Sequence, residues 1–413
     1  MNVRHCCFLM VCCCLIPALS GSAQVQKIYV KPKEAGIEKQ SKFVDSIRFI
    51  PLEIKKDIEI PSFSSDEFTR NYMMFSDPED KVIVLYSKAG AFAGKISYKK
   101  IGDSFESSYD EVNDRIVFFG DNNNYALTPR DRLKILLNRN DPRNLKYFRK
   151  YEVDLSDNSF TLRKNAPDEK DLTHAMHLYD DIWYKGDITT SSLFKDSLGH
   201  EFRLYRNDRF LKGYFAYHHI SEPRFLYTDE EVNITRTGDP FVNFLTRPFC
   251  DTVYKMFRDS LFPVYRLVLP LENSLPASFF IKPFKNKAER ENYTRNNGWI
   301  FHQVYNIYEN DRFITFDIEY LTRLESYIYQ KESKTVLNIK NIKPDSSQYN
   351  LKLLANNGSQ LQGDHFYRLL HAEDLLSFFE ANKNIPIPDD LKDFLAGKPD
   401  AEAPVVIEYK LKN

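Results

Sequence analysis

Once the first two dozen residues are set aside, this 413-residue chain holds a single cysteine, Cys250. An internal disulfide is therefore excluded, although an oxidising compartment is not. Glycine is also scarce, at 14 residues, which excludes a fibrous or low-complexity chain. Neither sign of charge is in excess: 57 basic residues stand against 58 acidic ones. That balance argues against a nucleic-acid partner, and no block of like charge marks a disordered tail. The longest apolar run, from Cys6 to Leu19, is broken by Pro17 and falls short of the ~20 residues a bilayer requires. No later stretch is longer, so no transmembrane helix is expected. A glycine-rich strand-to-helix loop and βαβ alternation are likewise missing, which argues against a nucleotide-binding fold and its cofactors.

What the N-terminus does contain is a leader pattern. Arg4 gives a basic start, the apolar run follows, and Gly21 and Ala23 are small residues suited to a signal peptidase. Residues 1–23 are read as a signal peptide cut before Gln24, with 24–413 as one exported domain. Lipid attachment at a cysteine needs a small residue before it, whereas Val11 precedes Cys12, and Cys13 and Cys14 lie deep in the run. Simple cleavage is the preferred reading, placing the protein in the periplasm or at the cell surface.

Aromatic residues are plentiful, 32 Phe and 25 Tyr, as suits half-buried pleated surfaces. Alternation recurs, as in Ile314, Phe316, Ile318 and Tyr320 against Thr315, Asp317 and Glu319, and again over Val405–Leu411. Continuous apolar runs at Lys81–Tyr86 and Arg115–Phe119 suit strands covered on both faces. Polar turn clusters, such as Ser76–Lys81 and Tyr308–Arg312, separate them, so antiparallel meanders are expected. Three stretches read as helix: Lys285–Gly298, His371–Lys383 and Pro388–Gly397, the last with proline at its start and glycine at its stop. They are read as additions to a β scaffold. The pattern fits a sandwich pair or a propeller, and blades of ~40–50 residues would give about eight or nine without insertions, fewer with them.

Four segments resemble a known group: DSIRFIPLE (Asp45–Glu53), KVIVLYSKAGAFAGKI (Lys81–Ile96), PFCDTVYKMFRDSLFPVYRLVLP (Pro248–Pro270) and APVVIEYKLK (Ala403–Lys412). Together they resemble the six-bladed β-propeller proteins exported by Bacteroidota. The Gly-Pro-Gly-Glu-Tyr-like stretch usual in that family is replaced here by KKIGDSFESSY (Lys99–Tyr109), so the chain looks like a divergent member. The resemblance implies an all-β fold of six four-stranded antiparallel blades. The last strand, Val405–Leu411, is expected to pair with sequence near Ile47–Leu52 and so close the ring.

No residue pattern commits to catalysis. Cys250 is read as a small core residue, sharing one strand face with Thr252, Tyr254 and Met256. His218 and His219 would point to opposite faces of a strand, and His174 and His177 meet only on a helix, so no metal site is expected. Asp180 and Asp181 beside Trp183 and Tyr184 form the one acid–aromatic grouping suited to gripping a sugar, with core packing as the plainer reading. Acid–hydroxyl–apolar triplets at Ser46, Ser197, Thr252 and Ser260 match the O-glycosylation acceptor of exported Bacteroidota proteins. The expected function is non-enzymatic binding at the cell envelope, of a glycan, a peptide or an envelope protein. The alternative is a polysaccharide hydrolase or lyase with its site in the central channel.

Overall fold

The computed structural model describes residues 25–32, 37–55, 67–77, 80–99, 106–121, 128, 130–131, 148–164, 176–186, 200–206, 209–216, 232–276, 284–285, 287–354 and 360–413. The leader expected at 1–23 and residues His174, His218, His219 and Ser197 lie outside them.

Six antiparallel four-stranded sheets follow one another along the chain and form the blades of a ring. The first blade is Glu67–Phe68, Tyr72–Asp77, Val82–Ser87 and Phe92–Ser97. The second is Glu106–Asp110, Arg115–Asp121, Phe148–Asp154 and Leu162–Lys164. Met176–Tyr179, Ile182–Gly186, His200–Arg206 and Arg209–Ala216 make the third. Asn233–Arg236, Val242–Thr246, Thr252–Phe257 and Ser260–Val268 make the fourth. The fifth is Phe301–Glu309, Phe313–Tyr320, Arg323–Gln330 and Thr335–Asn338. The sixth combines Gln360–Gln362, His365–His371 and Pro404–Leu411 with Val44–Pro51 from the other end of the chain.

That last pairing is the expected closure. Ile407 lies opposite Phe49 and Val406 opposite Ile50, so the N-terminal strand becomes the outermost strand of the final blade. Main-chain hydrogen bonds thus join the two chain ends, and the ring has no free edge at the seam. The segment before this strand adds a strap. Gln26–Tyr29 runs parallel to the outer strand of the fourth blade, and Glu38–Lys39 pairs with Ile342–Lys343 after the fifth. Between them and the sixth blade, Gln40 is fully buried. Its amide donates to Gln348 Oε1 and the Leu351 carbonyl, and its oxygen accepts from the N–H groups of Leu353 and Leu354.

The hydrophobic core is divided among the seams between blades. Met74, Leu85 and Ile96 meet Ile116, Phe118 and Val153 between the first and second. Leu178 and Phe202 meet Leu245 and Met256 between the third and fourth. Phe244 and Leu267 meet Val304 and Phe316 between the fourth and fifth, while Ile50 and Val406 meet Met73 and Val84 at the closure. The seam between fifth and sixth blades is broadest, because helices Ala372–Ala381 and Asp389–Ala396 add Leu375, Phe379, Leu391 and Leu395. Between second and third, Val117, Trp183 and Tyr205 form an apolar contact.

This division explains where alternation misleads. Thr315 and Asp317, assigned by period two to a polar face, are both buried, because a mid-blade strand is covered on each side by a neighbouring blade. Cys250 is also not a core residue. It is half-buried ahead of its strand, and the register slip between Val253 and Tyr254 turns Val253 and Met256 inward instead. The three expected helices are present, as Lys287–Asn296 and the two packed on the fifth–sixth seam.

Candidate functional site

The first strand of each blade faces the ring axis, and side chains on these strands lace neighbouring and distant blades together. Thr235 Oγ1 of the fourth blade accepts from the Ile307 N–H of the fifth at 3.3 Å. Arg236 extends further. Its Nη2 donates to the His177 carbonyl of the third blade at 2.8 Å, and its Nη1 donates to the Tyr109 carbonyl of the second. Glu67, on the first blade, accepts from the Tyr109 N–H at 3.1 Å. Glu111, in the turn after Tyr109, accepts from Gln362 Nε2 of the sixth blade at 3.4 Å, and its carbonyl accepts from Arg70. At the same end Gly238 and Gly363 approach so closely that a Cβ on Gly238 would lie 3.3 Å from the Gly363 Cα.

The electrostatics of this belt are uneven. Burial pushes the Glu67 carboxyl up, and the Arg236 charge opposes that rise. Burial also raises Glu111, with Arg70 and Arg236 opposing and Asp239 and Asp114 adding to the rise. His177, fully buried against Trp183, is shifted down chiefly by burial, although Asp110 lies 3.5 Å from its Nε2. The His177 Nε2–H donates to the Asp180 carbonyl at 2.9 Å, which leaves Nδ1 as a buried acceptor without a partner.

Arg236 also lines a cleft of about 440 Å³ that opens between the fourth, fifth and sixth blades. Its lining mixes Thr237, Asn310, Asp311 and Asp364 with Ile307, Tyr308 and Leu361; the Thr237 hydroxyl donates to the Val242 carbonyl at 2.7 Å and the Asn310 amide to the Lys412 carbonyl at 3.1 Å. Its acids are largely paired: Glu309 accepts from Lys331 Nζ at 2.7 Å and from Tyr265, and Asp364 is bound to His365 at 2.7 Å and to Lys410. A small cleft with a few fixed polar groups beside apolar walls is the ordinary form of a small-ligand site. Among the described residues no group of three or more His, Cys, Asp or Glu is arranged to hold a metal.

The acid–aromatic grouping read from the sequence sits elsewhere. Asp180 and Asp181 form the tight turn between the first two strands of the third blade, with Asp180 in the left-handed region at φ 47°. Both carboxylates face outward, and Asp181 lies 3.7 Å from Arg206. Trp183 is 2% exposed, with Lys150 Nζ 4.6 Å over its ring, and the Tyr184 hydroxyl donates to Met176 Sδ. Neither ring presents a face to solvent. Of the triplet hydroxyls, Ser46 is exposed on the outermost strand of the sixth blade, whereas Thr252 and Ser260 are half-buried on the fourth. The belt and cleft were not read from the sequence, because Glu67, Glu111, Arg236 and Gln362 come from four blades and share no local spacing.

No protein-family model matches the chain, and no curated protein matches it. Solved structures do. A protein of Bacteroides fragilis named as exported, BF0058, covers 94% of this chain and 100% of its own at TM-score 0.57 and 15% identity. A DUF4221-family protein of Bacteroides vulgatus covers 91% of this chain and 100% of its own, at TM-score 0.39 and 13% identity. An oligogalacturonate lyase covers 84% of this chain and 79% of its own, at TM-score 0.34 and 9% identity. The chain is thus a divergent six-bladed propeller that shares its fold with the exported Bacteroides fragilis protein.

Proposed function

We propose that this protein is an exported binding protein of the cell envelope that holds a small neutral saccharide in the cleft between the fourth, fifth and sixth blades. The leader pattern supports export to the periplasm or cell surface, as does the fold shared with a protein named as exported. No described helix is long and apolar enough to cross a membrane. The observation that carries the ligand class is the lining itself. Thr237, Asn310, Arg236 and Asp311 line it beside Ile307 and Leu361. Because most of the acids are already ion-paired, the cleft suits hydroxyl donors and acceptors rather than a strong charge of either sign. Its volume of about 440 Å³ has room for one or two sugar rings.

The test is calorimetric titration of the leader-free protein with neutral disaccharides of glucose, galactose, mannose and N-acetylglucosamine. Binding by at least one of them is expected, with affinity about tenfold weaker in Asp311→Ala, the size of one lost charged hydrogen bond. Asp311 is an exposed turn residue, so its truncation leaves the blade intact. No binding across the panel would refute the reading.

A second reading rests on the belt. Two carboxyl groups raised by burial, Glu67 and Glu111, in one channel are the raw material of a hydrolase or lyase. Release of reducing ends from a polysaccharide, abolished in both Glu67→Gln and Glu111→Gln, would establish catalysis over binding.

A further inference from the structure

We infer that the cleft and the channel end are coupled through Arg236, so that a ligand drawing this guanidinium into the cleft frees the Tyr109 and His177 carbonyls and takes from Glu67 and Glu111 the cation they share. The inference rests on the binding reading above and concerns its regulation. Arg236 is one side chain serving two places. It lines the cleft, and it closes the axis by donating to the Tyr109 and His177 carbonyls.

The charged groups around it, and around the carboxylates and imidazole it acts on, come from every side. The first blade contributes Glu67 and Arg70, and the second contributes Glu111, Asp114 and Asp110. His177 comes from the third blade and Asp239 from the fourth, while Glu309, Asp311 and Asp364 line the cleft. Several of these have partners of their own. Asp110 accepts from Arg115 Nε at 2.7 Å, and Asp114 accepts from the Tyr109 hydroxyl at 2.8 Å. The hydrogen bonds to the Glu67 and Glu111 carboxylates come from neutral donors, the Tyr109 N–H and the Gln362 amide. Beyond the Tyr109 N–H bond to Glu67, their compensation for burial is long-range, from Arg236 for Glu67 and from Arg70 and Arg236 for Glu111.

Two partly buried carboxylates that lose a cation hold their protons more tightly. Moving Arg236 toward a ligand thus raises both groups further. His177 shifts in the same direction, since the Arg236 charge is one of the causes lowering it. All three changes take up protons, so by linkage the affinity for ligand rises as pH falls. The rise reaches about tenfold per pH unit for each full proton gained.

The experiment is titration of wild-type protein at about pH 6 with the tightest-binding disaccharide of the panel, in two buffers of different ionisation enthalpy. Net proton uptake is expected. It should shrink in the Glu67→Gln, Glu111→Gln double variant, where His177 alone remains to take up a proton. Binding with the same enthalpy in both buffers and no pH dependence overturns the coupling and leaves the binding reading standing. Failure of every disaccharide to bind overturns both.

Discussion

Glu67 and Arg236 hold the two main-chain polar groups of one residue: Glu67 accepts from the Tyr109 N–H, and Arg236 donates to the Tyr109 carbonyl. Blades on opposite sides of the ring thereby grip the innermost strand of the second blade. Removing the guanidinium leaves two carbonyls unpaired and two carboxylates without their shared cation. Arg236→Met is expected to lose about 2–4 kcal/mol in urea unfolding. Adding Glu67→Gln should restore part of that loss. A loss of less than ~0.5 kcal/mol would mean that water replaces the guanidinium at no cost.

Trp183 provides a second test, of structure rather than ligand. Its ring, with Val117 and Tyr205, forms an apolar contact between the second and third blades. Truncation in a buried site of that kind costs about 3–5 kcal/mol. Trp183→Ala should therefore lower the thermal midpoint strongly, and Trp183→Phe less. If Trp183→Ala instead kept full stability and lost only saccharide affinity, the ring would be a binding platform after all.

Two glycines probe the seams of the first blade. Gly90 has φ +88°, and a Cβ there would stand 2.2 Å from the Pro51 carbonyl oxygen at the ring closure. Gly94 has ordinary φ, and its Cβ would meet the Phe160 ring at 2.5 Å. Main chain cannot yield as a side chain can, so Gly90→Ala should destabilise more than Gly94→Ala, each by about 1–3 kcal/mol. Equal effects in chemical denaturation would show that the closure is more pliant than its geometry indicates.

Alkaline pH should act in two opposed ways. Lys88 sits at the closure with its ammonium 4.3 Å over the Tyr367 ring and 5.3 Å over Phe68, and burial lowers it from 10.5 to about 8 against the pull of Glu408. Between those values the unfolded chain holds a proton that the folded chain has released, so stability from this group increases with pH. Tyr86 and Tyr179 are pushed by burial from 10.0 up to about 12, and in that range the unfolded chain ionises first, so their contribution falls. Lys88→Met is expected to flatten the rise between about pH 8 and 10.5 and to add about 1–2 kcal/mol at neutral pH. An unchanged pH profile of unfolding in that variant would show that Lys88 is solvated.

Much of the scaffold was legible because local rules govern it. Continuous apolar runs at Val82–Tyr86 and Ile116–Phe118 became strands covered on both faces, and Pro388 and Gly397 bracket a helix as their chemistry requires. The closing strand declared itself by the alternation of Val405, Ile407, Tyr409 and Leu411. Asp180 and Asp181 were legible as polar but not as a turn that tucks Trp183 into a seam. The belt was illegible for a geometric reason. A propeller brings to its axis one short strand from each blade, so Glu67, Glu111, Arg236 and Gln362 become neighbours only once the ring has closed.

The claim that ligand is read at Arg236 is tested most directly by a crystal structure of the leader-free protein with the tightest-binding disaccharide. The sugar is predicted in the cleft of the fourth, fifth and sixth blades, hydrogen-bonded to Arg236 and Asp311, with the Tyr109 carbonyl released from the guanidinium. A sugar ordered on any other surface, with the cleft empty and Arg236 still bound to Tyr109 and His177, would contradict it.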